Sequence, residues 1–266
     1  MKRSFFIAAA LFLIIGSLTE VRATTLEETF KKQVAVDDIV RLELSNTNGS
    51  IAIRHSDDAD IHILARKKVS ASTGSTAKKL LDDLQIDIDQ VDDVLQIRTI
   101  YPRSQDRGGF FAWLFGQNGN NKSVQYEIAV PDSMEMEIHT TNGSIHVDGI
   151  SGNIILFTTN GKITAENIKG SVKAKSTNGT IYAALDVVNP DQDIRIRTTN
   201  GSIHLFLPAD INADLEARTT NGKISCELPL TETYAESRRR LEGRINEGGT
   251  AIFLRTTNGS IRIKEN

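Results

Sequence analysis

The sequence predicts an all-β chain. Its main body is a β-solenoid of stacked 18–22-residue coils, with a looser β-rich region ahead of it and one short helix. Three observations carry this. Thr-Asn-Gly occurs seven times, with asparagines Asn48, Asn142, Asn160, Asn178, Asn200, Asn221 and Asn258. The third residue after each is always isoleucine: Ile51, Ile145, Ile163, Ile181, Ile203, Ile224 and Ile261. Apolar and polar residues alternate on both sides of every repeat, which is the period of a half-buried strand.

The chain begins with Lys2 and Arg3, an apolar stretch over 5–18, and Val21-Arg22-Ala23, with small residues where signal peptidase reads. Residues 1–23 are therefore expected to be a secretory signal peptide cleaved after Ala23, rather than a retained anchor. No cysteine stands at that point for a lipid. Its removal leaves 28 basic and 33 acidic residues, a mild balance that argues against nucleic acid as a partner. The lone Cys226 cannot form an internal disulfide, so an exported fold must rest on packing and backbone pairing.

Residues 24–125 read as a β-rich cap region. Strands are expected over 39–44, 50–54, 61–69, 84–89 and 94–100. A helix is expected from Ser75 to Asp83, with capping residues ahead of Ala77, Leu80, Leu81 and Leu84. Solenoids need such an end, because a bare terminal coil leaves apolar surface and unpaired strand groups in water. Within this region the loop 102–123 holds Phe110, Phe111, Trp113 and Phe115. One reading folds these aromatics over the end of the core; the other places them against a membrane or a partner, where Trp and Phe are favoured.

Residues 126–266 form the repeat array. The residue four before each asparagine is Leu44, Ile138, Leu156, Ala174, Ile196, Ala217 or Leu254; five after comes Ile53, Val147, Ala165, Ala183, Leu205, Cys226 or Ile263. These make the buried face, and Cys226 belongs to it. The glycines Gly49, Gly143, Gly161, Gly179, Gly201, Gly222 and Gly259 complete the turns, for which Asn-Gly supplies positive φ angles. A solenoid and an antiparallel meander with two-residue hairpins both fit this pattern. Recurrence of like residues in every column favours in-register stacking, each coil on the one before it. The segment 231–244 interrupts the array with mixed charge, as a solvated excursion or short surface helix.

Candidate chemistry is sparse. His139, His146 and His204 lack metal-ligand spacing, and Asp57-Asp58-Ala59-Asp60 lacks the spacing and closing Glu of a calcium loop. No nucleophile elbow, phosphate-binding loop or Cys-His pair is present, and no cofactor is expected. Lys175, Arg197, Arg218 and Arg255 occupy equivalent positions before the turn, so stacking would align them as an anion-binding stripe unless Glu166, Asp186, Glu216 or Glu227 neutralise it.

Thr-Thr-Asn-Gly-Ser-Ile with a glycine half-turn about nine residues on, Asp57-Asp58-Ala59-Asp60-Ile61 upstream, Val130-Pro131, and the closing Ile245-Asn246-Glu247-Gly248-Gly249 together resemble the bacterial putative-adhesin family of repeat proteins. The resemblance runs from about residue 35 to the end. It implies a solenoid-like fold and a periplasmic or cell-surface location, and no established activity. The expectation is an exported binding scaffold for an envelope glycan, a membrane surface or another envelope protein. The other classes kept open are a solenoid polysaccharide-processing enzyme, marked by Asp with Arg or Lys around a concave groove, and an envelope-stress signalling or structural component.

Overall fold

The computed structural model describes residues 23–36, 39–101, 121–131 and 133–266. The expected signal segment and the aromatics Phe110, Phe111, Trp113 and Phe115 lie outside the described residues.

The fold opens with β1 (Thr24–Val34), β2 (Arg41–Ser45), β3 (Ile51–His55) and β4 (Ile61–Ala71). Next come α1 (Gly74–Asp82), β5 (Gln85–Val91) and β6 (Val94–Ile100). The central strands are β7 (Asn121–Val130), β8 (Glu135–Asn142), β9 (Ile145–Asp148), β10 (Ser151–Asn160), β11 (Ile163–Asn178) and β12 (Ile181–Val188). Then follow β13 (Ile194–Asn200), β14 (Ile203–Leu207), β15 (Ala213–Asn221) and β16 (Ile224–Cys226). The chain closes with β17 (Leu230–Ser237), β18 (Arg240–Ile245), β19 (Thr250–Asn258) and β20 (Ile261–Glu265).

Strands that precede a Thr-Asn-Gly corner pair with one another, and so do strands that follow it. The first ladder runs β6, β2, β8, β10, β11, β13, β19, β15. The second runs β7, β3, β9, β11, β12, β14, β20, β16. Every one of these pairings is parallel, so the array is a β-solenoid and the hairpin meander is excluded. β11 belongs to both ladders. It bends through Asn167 (φ 55°) and Gly170 (φ 150°), and the sheet curls around one core.

The core is built from the predicted columns. Ile51, Ile145, Ile163, Ile181, Ile203 and Ile261 are all buried, as are Leu44, Ile138, Leu156, Ile196 and Leu254. Burying each such side chain contributes roughly 1.5–3 kcal/mol. Cys226 lies in its expected column, but at the end of the array, against Ile263 and only half-buried. Burial pushes its thiol pKa up.

The stacking order departs from the chain order at both ends. The β6/β7 coil sits outside the β2/β3 coil, and the β19/β20 coil is inserted between β13/β14 and β15/β16. Coil upon preceding coil holds only from Asn142 to Asn200. At the C-terminal end the reason lies in the segment 231–244. It is neither a helix nor a loose excursion but the hairpin β17–β18, whose β18 pairs antiparallel with β15. That covers one edge of β15 and leaves the other for β19.

The corners also differ in cause from the expectation. Of the seven glycines only Gly49 has a φ in the left-handed range, at 121°, and none of the seven asparagines does. Close stacking is what requires glycine: a Cβ on Gly179 would sit 1.9 Å from the carbonyl oxygen of Gly161, and one on Gly259 1.9 Å from that of Gly201. The asparagines form a hydrogen-bonded ladder. Asn142, Asn160, Asn178, Asn200, Asn258 and Asn221 each donate Nδ2 to Oδ1 of the neighbouring corner asparagine at 2.7–2.8 Å, starting from Asn48. Beneath it, Thr158, Ser176, Thr198, Thr256 and Thr219 donate their hydroxyls to the stacked glycine carbonyls.

Both ends are closed by antiparallel strands. At the N-terminal end β4 pairs with β7 and β1 with β4, while β5 pairs with β6. α1 connects the two edges and buries Ala77 and Leu81; Thr73 Oγ1 accepts from Thr76 N and caps it, so the helix starts at Gly74, one residue ahead of the expected Ser75. Tyr101 and Asn46 close the asparagine ladder. Tyr101 Oη donates to Asn46 Oδ1 at 2.8 Å and accepts from Asn48 N at 3.0 Å, while Asn46 Nδ2 donates to Val124 O at 2.8 Å.

Candidate functional site

Alternation puts every second residue of the first ladder on its outer face, in two adjacent columns. Moving along the stack, one column reads His139, Phe157, Lys175, Arg197, Arg255, Arg218 and Arg240. The other reads Glu137, Ile155, Lys173, Arg195, Phe253, Glu216 and Glu242. The insertion of the last coil thus places Arg255 between Arg197 and Arg218. Neighbouring rungs are about 4.8 Å apart.

Three zones result. At the N-terminal end charges are matched: Glu137 is bonded by His139 Nε2 at 2.9 Å and by Arg41, which hold its carboxyl below the usual range. His139 stacks on Phe157 with ring centroids 4.8 Å apart. At the far end Arg218 meets Glu216 at 2.9 Å and Glu242 at 2.8 Å. Hydrogen bonds from Arg240 and Arg218 bring the Glu242 pKa down to about 2.

Between them lies a cationic zone over β11, β13 and β19. Lys175, Arg197 and Arg255 stand on consecutive rungs, exposed, and among the described residues none of them has a carboxylate partner. Lys173 and Arg195 flank them in the second column. Arg195 bonds Asp193 at 2.5 Å and lays its guanidinium over the Phe253 ring, 4.5 Å from the centroid. Of the acidic neighbours expected to neutralise the stripe, Glu216 serves Arg218, Glu227 pairs with Lys264, and Asp186 accepts from Asn266. Lys173 and Arg195 were not singled out in the sequence, although their two-residue offset from Lys175 and Arg197 places them on the same face.

The histidines are scattered. His139 is on this face, whereas His146 and His204 lie on the outer face of the second ladder, separated by Thr164 and Tyr182. Burial, with Arg262 and Lys162 nearby, lowers the His204 pKa. Among the described residues no group of three or more His, Cys, Asp or Glu is placed to hold a metal ion. The aspartates at 57–60 form a polar turn, in which Asp58 accepts from His62 at 2.7 Å and Asp60 from Gln33 at 2.6 Å.

An open groove of about 740 Å³ runs along the half-turn edge, over Met134, Gly152 and Gly170, with exposed Val40 and Val187 on its walls. Among the described residues its charged lining is Glu135 and Lys169.

No curated protein matches the chain. Among solved structures it is similar to a "putative cell adhesion protein" from Clostridium sporogenes, at 13% identity and a TM-score of 0.47, covering 91% of this chain and 100% of that one. A "putative adhesin" from Bacteroides fragilis follows at 12% identity and a TM-score of 0.31, covering 90% and 97%. A "putative lipid binding protein" from Parabacteroides distasonis gives 12% and 0.23, covering 90% and 96%. The family model described as Toastrack DUF4097 matches residues 117–264, more than half of the chain. With its in-register coils and stacked corners, the chain belongs to the Toastrack DUF4097 family.

Proposed function

We propose that the protein is an exported, non-catalytic binding scaffold of the bacterial envelope or cell surface whose cationic face holds an anionic polymer, either an acidic glycan or a phosphate-bearing chain. The observation that carries this reading is the run Lys175, Arg197, Arg255 on consecutive rungs without carboxylate partners among the described residues. Like charges opposite one another on paired strands are destabilising, so a face that keeps them aligned suits a ligand that supplies the counter-charge. The repeat of about 4.8 Å fits an extended polymer with charge at regular intervals better than a compact ligand. Phe157 and Phe253 give the zone apolar surface on which a sugar ring can rest. In this reading the array 126–266 presents the face, and residues 24–125 cap it. Among the described residues the groove is lined by one carboxylate and one lysine, without an Asp and Arg set of the kind a polysaccharide-processing site calls for.

The test is binding of the purified protein to polyphosphate, an acidic polysaccharide and neutral dextran across a salt series. Polyphosphate and the acidic polysaccharide are expected to bind with an affinity that falls steeply with salt. The triple change K175Q/R197Q/R255Q abolishes this, while Arg218→Gln, whose charge is already matched, changes it little. Equal binding of dextran, or an Arg218→Gln effect as large as the triple one, overturns the reading. The aromatics Phe110, Phe111, Trp113 and Phe115 are proposed as a second contact, since Trp and Phe favour membrane and partner interfaces. Salt-resistant cosedimentation with lipid vesicles, lost in F111S/W113S at an unchanged melting temperature, is the expected result. A collapsed melt would make them core instead.

A further inference from the structure

We propose that Asn221–Gly222 is a self-modification site, where the folded chain converts its own asparagine to aspartate or isoaspartate while the other six corners are held inert. In Asn-Gly sequences the glycine amide nitrogen attacks the asparagine Cγ. The new N–C bond closes a succinimide ring, the side-chain nitrogen leaves as ammonia, and water opens the ring at either carbonyl. The attacking nitrogen must first give up its proton. A hydrogen bond donated by that N–H stabilises the neutral amide and opposes the step.

Six glycines are tied in this way. The N–H groups of Gly49, Gly143, Gly161, Gly179, Gly201 and Gly259 each donate to the corner asparagine carbonyl of the next coil at 2.9–3.1 Å. Gly222 stands at the end of the stack, and among the described residues its N–H has no acceptor. The β17–β18 hairpin tip spans this corner without filling the gap. Arg239 O accepts from Thr219 N and Arg238 O from Ile224 N, each at 3.0 Å, and Gly222 stands between these two bonded residues in the chain.

The side chains repeat the contrast. Asn142, Asn160, Asn178, Asn200 and Asn258 are held from both sides, donating through Nδ2 and accepting through Oδ1. Asn221 donates to Asn258 Oδ1 at 2.8 Å, and its own Oδ1 receives nothing among the described residues. It is exposed to the water that the second step consumes. Once the amide is lost, position 221 offers a carboxylate to Asn258 Oδ1, acceptor to acceptor, and the last bond of the ladder is gone.

The sequence contains its own control. Thr158-Thr159-Asn160-Gly161-Lys162-Ile163 and Thr219-Thr220-Asn221-Gly222-Lys223-Ile224 are the same six residues, one inside the stack and one at its end. The purified protein is aged in mildly alkaline buffer, folded and in denaturant, and all seven corners are followed by peptide mass spectrometry. In the folded protein Asn221 is expected to react roughly tenfold faster than Asn160 or more, the factor that one lost hydrogen bond corresponds to. In denaturant the two are expected to react alike. Equal rates at Asn160 and Asn221 in the folded protein, or no reaction at Asn221 there, would overturn the proposal.

Discussion

Arg197 and Arg255 face one another across adjacent parallel strands, although β14 through β18 separate them in the chain, and neither meets a carboxylate among the described residues. Such a pair costs stability, by a few tenths of a kcal/mol up to about 1 kcal/mol. Arg255→Gln is therefore expected to leave the melting temperature unchanged or to raise it slightly, while weakening polyphosphate binding. A thermal melt beside a binding titration checks both, and a destabilised variant would show that Arg255 serves the fold instead.

The glycine corners predict a sharp positional contrast. Gly179→Ala forces a methyl group to within 1.9 Å of the Gly161 carbonyl oxygen, so the coils must separate at that corner. A loss of about 3 kcal/mol or more is expected, in the range of strained or overpacked sites. Gly74→Ala, at the start of α1 with its nearest neighbour 3.8 Å away, is expected to gain about 0.5–1 kcal/mol. Denaturant melts of the two variants decide the matter.

A second contrast lies in the hydroxyl column. Thr198 Oγ1 donates to Gly179 O at 2.9 Å, whereas Thr140 Oγ1, in the same column and also buried, has no partner among the described residues. Thr198→Val should cost about 1 kcal/mol, because the half-buried Gly179 carbonyl loses this donor. Thr140→Val is expected to be neutral or stabilising. Equal losses would mean that packing rather than the hydrogen bond sets the value of this column.

Alkali should open the N-terminal end. Burial pushes the Tyr101 and Tyr126 hydroxyls up to about 12, against about 10 for a tyrosine in an unfolded chain. Between these values the folded state binds more protons, so stability falls as pH rises. The contribution is complete below about pH 10 and is lost as pH passes through about 12. Unfolding midpoints measured over this range should fall steeply, and a Y101F/Y126F variant should show a flatter profile whatever its stability at neutral pH.

The columns, the corners and the helix were legible because each is a local pattern repeated many times: isoleucine at a fixed offset, alternation around Asn-Gly, and Thr73 ahead of Ala77 and Leu81. The stacking order was not legible, because the corners are interchangeable. Asn200 could accept from Asn221 as readily as from Asn258, and the choice is made by the pairing of β18 with β15. β1 escaped notice because Glu28 and Lys32 interrupt the inward-facing set Leu26, Phe30 and Val34. The stripe was half legible. Lys175, Arg197 and Arg255 could be aligned from the repeat, but the neutralisation of Arg218 depends on Glu242, which reaches it only through the hairpin.

The inserted last coil makes the array finish late. β15, β18 and β17 lie close in sequence and pair with one another, so they can zip up as soon as they exist. Their seat on the growing stack, however, belongs to residues 250–265, which emerge after them. Either this three-stranded piece waits off the array, or it docks on β13 and is later displaced by β19. In both cases completion of the stack depends on residues 250–265, and a chain whose synthesis stalls before residue 250 is left with an edge at β13 unlike that of the finished array.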